Sequence, residues 1–170
     1  MKVLHVVEHA LDKLHNSGRF TKTLHWLTSQ AGILPFDLFL TLGRALRQAE
    51  AAEGRLPLDH LTNCVFDCLT ALLPQHRQLL RDLLLRDRLA STSTAVMPAC
   101  LKQKDARSFA VKHVLRRLYP RPEGITRAIG FLYAGEEDSV VFCDYREKDP
   151  VTGLYPLRIV PVAECLAGKR

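Results

Sequence analysis

The chain has 170 residues, of which 47% are hydrophobic and 25% are charged. That balance is typical of a globular protein and excludes a disordered one, and no apolar run approaches the ~20 residues that a membrane span needs. Five widely separated cysteines do not suggest a disulfide framework, so we expect reduced thiols in a cytoplasmic protein that contacts no membrane.

The net charge of +6 permits contact with nucleic acid or with an acidic protein. The arginines form two clusters, Arg77, Arg81, Arg86 and Arg88 in the first and Arg116, Arg117 and Arg121 in the second. We interpret them as a solvated helix face and a basic turn, because a stacking platform needs interleaved aromatic residues and only Tyr119 is nearby. A stand-alone basic module for nucleic acid or an acidic protein partner is therefore the alternative function.

Apolar residues at helical spacing predict helices over residues 2–15 and 20–30. Gly18 separates the two helices and suits the left-handed conformation in which helices often end. Pro35 fits the first turn of a third helix, where its missing N–H costs little. Gly43 lies on the apolar stripe of that helix, which predicts a close approach by a neighbouring helix.

Two further helices are predicted after Pro57 and Pro74. The polar run Ser91–Thr94 marks a loop and is a candidate boundary between parts of the chain. Asp105 is of a type that caps helices, so it predicts the start of a sixth helix, on which apolar residues again recur at helical spacing.

Helical periodicity ends at residues 119–124, where prolines and a glycine interrupt it. Residues 127–134, 139–146 and 154–161 then predict three strands separated by polar turns. The middle strand is apolar on both faces, so we expect it to lie at the centre of the sheet.

These elements predict an α+β fold. It consists of a mainly helical bundle of about six helices in residues 1–122, followed by a small C-terminal antiparallel sheet in residues 123–170. We expect the β subdomain to pack on the bundle, so that the two parts form one compact unit.

Short segments at both ends of the chain resemble a known family. Residues 11–24 read LDKLHNSGRFTKTL, residues 35–39 read PFDLF, residues 141–146 read VFCDYR and residues 149–153 read DPVTG. Together they resemble the C-terminal domain of unknown function that follows the catalytic core in radical SAM proteins carrying an N-terminal cobalamin-binding domain. The signature residues, whose role the resemblance leaves open, are Asn16, Ser17, Gly18, Arg19, Phe20, Pro35, Phe36, Asp37, Phe39, Asp144 and Tyr145.

The resemblance implies a non-catalytic accessory domain. Such a domain would pack on a radical SAM catalytic core, in cis or in trans, and could shape substrate access. The iron–sulfur cluster, S-adenosylmethionine and cobalamin would bind to the upstream domains, so we expect no cofactor in this chain. The sequence itself has no P-loop, dinucleotide fingerprint or nucleophile elbow.

His5, Glu8 and His9 match the H-x-x-E-H pattern of inverted zinc peptidases. On a helix His5 and His9 share a face and could bind one metal ion, with Glu8 as the base of a hydrolase. Helix ends fray, however, and no second motif announces a third ligand. We therefore favour surface or half-buried histidines over a metal site.

Cys64 and Cys68 resemble the start of the C-x-x-x-C-x-x-C motif that binds an iron–sulfur cluster. The third cysteine would fall at position 71, which is Ala71, so three thiolates cannot meet here. His60 lies on the same helical face, but its separation from Cys68 is about 12 Å along the axis, too far for one ion. We predict that both cysteines are small buried apolar residues.

Overall fold

The computed structural model describes residues 2–93 and 96–168. Seven α-helices and a three-stranded antiparallel sheet occur in these residues, which confirms the predicted α+β class. None of the helices in the described part of the chain is both long and apolar enough to cross a membrane.

The chain divides into two compact units, the first formed by residues 1–88 and 97–101 and the second by residues 89–96 and 102–170. The predicted division at residue 122 therefore lies inside the second unit. Of the predicted loop Ser91–Thr94, Ser91 ends a helix and Thr94 lies outside the described residues.

The first unit is helical. It contains α1 (Lys2–Ala10), a π turn (Leu11–His15), α2 (Thr21–Ser29), α3 (Pro35–Glu53), α4 (Leu58–Leu72), most of α5 (Arg77–Ser91), and 3₁₀ turns at Pro74–His76 and Ala99–Leu101. α1 packs on α3, and α3 packs on α4. Gly43 permits the first of these contacts, because a Cβ at Gly43 would lie only 2.4 Å from the carbonyl oxygen of Val6. The predicted close approach of a helix at Gly43 is thus confirmed.

The prediction of one continuous helix over residues 2–15 is wrong after Ala10. Leu11–His15 form a π turn, closed by a 2.9 Å hydrogen bond from the Asn16 N–H to the Leu11 carbonyl. A single wide turn leaves the apolar periodicity almost unchanged, so the sequence pattern does not reveal it. Gly18 has a φ of 67°, as predicted for the residue that separates the first two helices.

The second unit packs two helices on a small sheet. It contains the end of α5, α6 (Ser108–Leu118), β1 (Ala128–Leu132), β2 (Ser139–Cys143), β3 (Arg158–Pro161) and α7 (Val162–Ala167). β2 lies between β1 and β3, which confirms its predicted central place. The buried core of the unit consists of Val111, Val114, Leu115, Phe131, Val140, Phe142, Val162 and Cys165.

The third strand is shorter than predicted, because its first half is held in a different way. Asp149 accepts hydrogen bonds from the N–H groups of Val151 and Thr152 at 2.9 and 2.7 Å, which folds this stretch into a tight turn. The Tyr155 N–H donates to the carbonyl of Ala90 at the end of α5 and not to a strand. Sheet pairing therefore begins only at Arg158, and α7, which was not predicted, follows directly.

Candidate functional site

A groove runs along the first unit between α3 and α4. Its volume of about 1020 Å³ lies at the upper end of the roughly 300–1,000 Å³ found for small-molecule sites. The α3 residues that line it extend from Thr41 to Glu53, a rise of about 18 Å. This α3–α4 groove is lined by Thr41, Ala45, Gln48, Ala49, Ala52, Glu53, Leu56, His60, Asn63, Cys64, Asp67, Cys68, Ala71 and Leu72.

Small side chains on both helices create the groove. On α3 they are Ala45, Ala49 and Ala52, and on α4 they are Cys64, Cys68 and Ala71. Each trio follows the i, i+4, i+7 spacing that places residues on one helix face. A leucine at any of these positions would occupy part of the space, so the volume follows from the choice of small residues.

The charged groups along the groove are mainly acidic. Glu53, near the end of α3, pairs with His60, in the first turn of α4, at 2.8 Å. Asp67 is exposed further along α4. The described lining residues include no lysine or arginine, although the whole chain carries a net charge of +6. A ligand with a positive charge at its edge would complement this surface.

Cys64 and Cys68 are half-buried on the wall of the groove, so the prediction that they are buried core residues is wrong. Burial, together with neighbouring acidic groups, raises the pKa of the Cys64 thiol, and burial raises the pKa of Cys68. Both thiols are therefore protonated near neutral pH and are poor nucleophiles. The face shared by His60, Cys64 and Cys68 was predicted correctly, and the structure shows that it lines the groove.

The Asn16–Phe20 signature forms the turn that joins the π turn to α2. The Asn16 amide donates to the Asp12 carboxylate at 2.7 Å, and the Ser17 hydroxyl donates to the Leu14 carbonyl at 3.2 Å. Phe20 is buried, whereas Arg19 is exposed. Together with the left-handed Gly18, these contacts fix the direction in which the chain enters α2.

The second signature begins α3. Pro35 is its first residue, as predicted, and Asp37 lies in its first turn, where a negative charge is favourable. Phe39 is buried and meets the ring of His15 edge-on, with the ring centres 6.4 Å apart. Phe36 is 49% exposed. The prediction that at least one of these two phenylalanines is buried is confirmed.

Comparison with known sequences covers most of the chain. A family described as a protein of unknown function, DUF4080, matches residues 1–130. The chain belongs to the DUF4080 family. No curated protein and no solved structure matches it. The α3–α4 groove and the signature residues up to Phe39 lie within the DUF4080 match, whereas Asp144 and Tyr145 lie beyond it.

Asp144 and Tyr145 follow β2 in the second unit. The Asp144 carboxylate accepts a 2.5 Å hydrogen bond from Arg127, whose guanidinium also donates to two carbonyls at the C-terminal end of α6. Asp144 thus holds a positive charge at the negative end of a helix. Tyr145 has a φ of 47° and packs edge-on against Tyr155, with the ring centres 4.9 Å apart.

His5, Glu8 and His9 do not converge on one position in this DUF4080 chain. The exposed His5 and Glu8 pair with each other at 3.1 Å, whereas His9 binds Glu50 of α3 at 2.8 Å. Lys13 binds the other oxygen of Glu50 at 2.5 Å. Burial alone would raise the pKa of Glu50, but hydrogen bonds and charges from Lys13 and His9 lower it. His9 thus joins α1 to α3.

The interpretation of the first arginine cluster as a solvated face is wrong for two of its members. Arg81 is only 7% exposed, pairs with Asp82 at 2.9 Å and donates to the Leu101 carbonyl at 2.9 Å. Arg88 is 6% exposed and binds Asp59 of α4 at 2.6 Å. These charges hold the first unit together.

Sequence reasoning located the helices that line the groove but missed the groove itself. The signal that could have found it is the repeated i, i+4, i+7 spacing of alanine and cysteine on two consecutive helices. That spacing was interpreted as core packing, because small apolar residues on one helix face occur in both situations.

Proposed function

We propose that this DUF4080 chain is a cytoplasmic, non-catalytic accessory domain that packs on a radical SAM catalytic core through the α3–α4 groove. The signature residues motivate the choice of partner, and the groove is the observation that supports a docking role. In this proposal the iron–sulfur cluster, S-adenosylmethionine and cobalamin bind to the core and its upstream domain, and not to these 170 residues.

The occupant of the groove in this proposal is a helix of the catalytic core. The lined stretch of α3 is about 18 Å long, enough for about three helical turns. Small residues on both walls allow a third helix to approach closely. Since Glu53 and Asp67 are the charged groups on either wall, we expect lysine or arginine along the edge of the docked helix.

The contacts of the signature residues support an accessory role. Phe20 and Phe39 are buried in the first unit, and Asp144 is engaged with Arg127. Each of these residues stabilises the shape of the chain, as expected of a domain whose surface is its product. A catalytic family pattern would instead concentrate polar side chains around a reacting group.

Binding of a purified radical SAM core tests the proposal. The core encoded in the same reading frame or in a neighbouring gene is titrated into the chain under anaerobic conditions, by isothermal titration calorimetry. Ala49→Trp fills the groove, so we expect it to weaken binding about tenfold or more. The matched control is Ala163→Trp, which places the same side chain at an exposed position of α7.

Circular dichroism and thermal unfolding establish that both variants are folded. The proposal predicts that Ala163→Trp binds like the original chain. Equal affinities for Ala49→Trp and Ala163→Trp would remove the groove from the proposal, and a core that does not bind at all would remove the partner.

A further inference from the structure

A second cavity lies at the end of the sheet in the second unit. It opens where the chain leaves β2 and where it returns to begin β3, and its volume is about 440 Å³. A cavity of that size accommodates a small ligand. We call it the hairpin pocket, and its wall includes Phe142, Asp144, Tyr145, Arg146, Glu147 and Arg158.

The hairpin pocket carries an excess of positive charge. Asp144 is neutralised by Arg127 at 2.5 Å, which leaves Glu147 as the remaining carboxylate on the wall. Within the described residues, neither Arg146 nor Arg158 has a carboxylate at ion-pair distance. Arg146 directs one nitrogen to a backbone carbonyl at 2.8 Å and keeps further donors for an anion.

Aromatic rings alternate with these cations. The Arg158 guanidinium lies 5.3 Å from the ring centre of Tyr119, and the Lys148 amine lies 5.1 Å from that of Tyr155. The ring of Tyr145, on the pocket wall, contacts Tyr155 edge-on. Interleaved rings and cations are the arrangement by which proteins bind single-stranded nucleic acids and nucleotides.

The loop that forms the pocket is held in place before any ligand arrives. Asp149 accepts hydrogen bonds from two backbone N–H groups and from the Thr152 hydroxyl, which fixes the turn between Glu147 and Pro156. Tyr145 has a left-handed φ of 47°, which is unfavourable for a bulky residue and occurs mainly where the surrounding structure imposes it for function.

We propose that the hairpin pocket binds a nucleotide unit. Its phosphate would bind to Arg146 and Arg158, and its base would pack on the ring of Tyr145. A free nucleotide and a segment of single-stranded nucleic acid present the same chemistry. This inference does not depend on the proposed docking role, because it concerns other residues in the other unit.

Fluorescence anisotropy of the intact chain with a labelled oligouridylate of about eight nucleotides tests the proposal. Arg146→Ala combined with Arg158→Ala should weaken binding about tenfold or more, because two charge-assisted contacts to phosphate are lost. The matched control is Arg44→Ala with Arg55→Ala, two exposed arginines of the first unit, which lowers the net charge equally. Glu147→Gln should strengthen binding, because it removes the remaining carboxylate.

Competition identifies the source of the nucleotide. If AMP displaces the oligonucleotide, the pocket takes a free nucleotide, and if only unlabelled oligonucleotide displaces it, the pocket takes a strand; both results support the proposal. Inorganic phosphate that competes as well as AMP would overturn it, because the base would then contribute nothing. Equal losses in the two double-arginine variants would overturn it as well.

Discussion

The Asp87 carboxylate of α5 accepts two hydrogen bonds from Thr23 at the amino end of α2, one from the backbone nitrogen at 2.9 Å and one from the hydroxyl at 2.7 Å. The Lys22 N–H donates to the other carboxylate oxygen at 2.9 Å. Phe20 occupies the N-cap position of α2, and its side chain cannot accept these bonds. A residue 64 positions away in sequence therefore supplies the cap of α2.

Asp87→Ala should lower the free energy of unfolding by about 2–4 kcal/mol, because two N–H donors would lose their acceptor at about 1–3 kcal/mol each. Asp87→Asn keeps one acceptor oxygen and should cost less. Urea unfolding followed by circular dichroism measures both losses. Glu136→Ala, at an exposed position, is the control, and a loss for Asp87→Ala no larger than the control's would contradict the capping role.

Gly43→Ala should destabilise the chain by about 1–3 kcal/mol, because its Cβ would overlap the backbone of Val6 and force α1 away from α3. Gly135→Ala is the matched control, since the nearest atom to its Cβ lies at 3.5 Å, an ordinary contact. Thermal unfolding of the two variants gives the comparison. Equal melting temperatures would mean that α1 and α3 can separate at little cost.

Phe39→Ala should cost about 3–5 kcal/mol, the usual range for a buried aromatic side chain. Phe36→Ala changes the same residue type three positions earlier on the same helix, but Phe36 is 49% exposed and should cost about 1 kcal/mol or less. Chemical unfolding of both variants measures the difference. If Phe36→Ala proved as costly as Phe39→Ala, the burial pattern of α3 would be wrong.

Acid should weaken the contribution of Asp105 to the stability of the second unit. Hydrogen bonds from Arg107, above all, and from Tyr133 hold the pKa of Asp105 well below its ordinary value of 3.8. The folded state therefore binds this proton less readily than the unfolded state. The stabilisation is complete above the unfolded pKa, near 4, and is lost as the pH falls through the lower folded pKa.

Asp105→Asn should therefore reduce the free energy of unfolding at pH 7, and its deficit should shrink as the pH falls below about 4. Unfolding curves collected from pH 7 down to about pH 2 measure this difference. Glu123→Gln, at an exposed position, should show no such convergence. A deficit that stayed constant with pH would rule out the charged pair with Arg107 as its cause.

Local patterns in the sequence were sufficient to predict much of the fold. Apolar periodicity located α2, α3 and α6, and Gly18 and Gly43 were predicted for the two different roles that the structure shows, a left-handed turn and a close contact. Such features depend on residues within a few positions of one another. Each can be recognised without knowing what lies elsewhere in the chain.

The contacts that could not be predicted join residues far apart in sequence. Arg88 binds Asp59, 29 positions away, and a run of charges on α5 looks the same whether it faces water or buried partners. The α3–α4 groove depends on how two helices are spaced. Alanine and cysteine on a helix face are equally compatible with a filled and an open interface, so only the packed structure distinguishes them.

The π turn makes the start of the chain sensitive to its length more than to its exact residues. The hydrogen bond from Asn16 to Leu11 spans one residue more than an α-helical turn would. Losing one residue between Leu11 and His15 would let α1 continue as a regular helix and rotate everything after it by about 100°. Phe20 would then leave its buried position. Among DUF4080 relatives, insertions and deletions in this segment should therefore be rarer than substitutions.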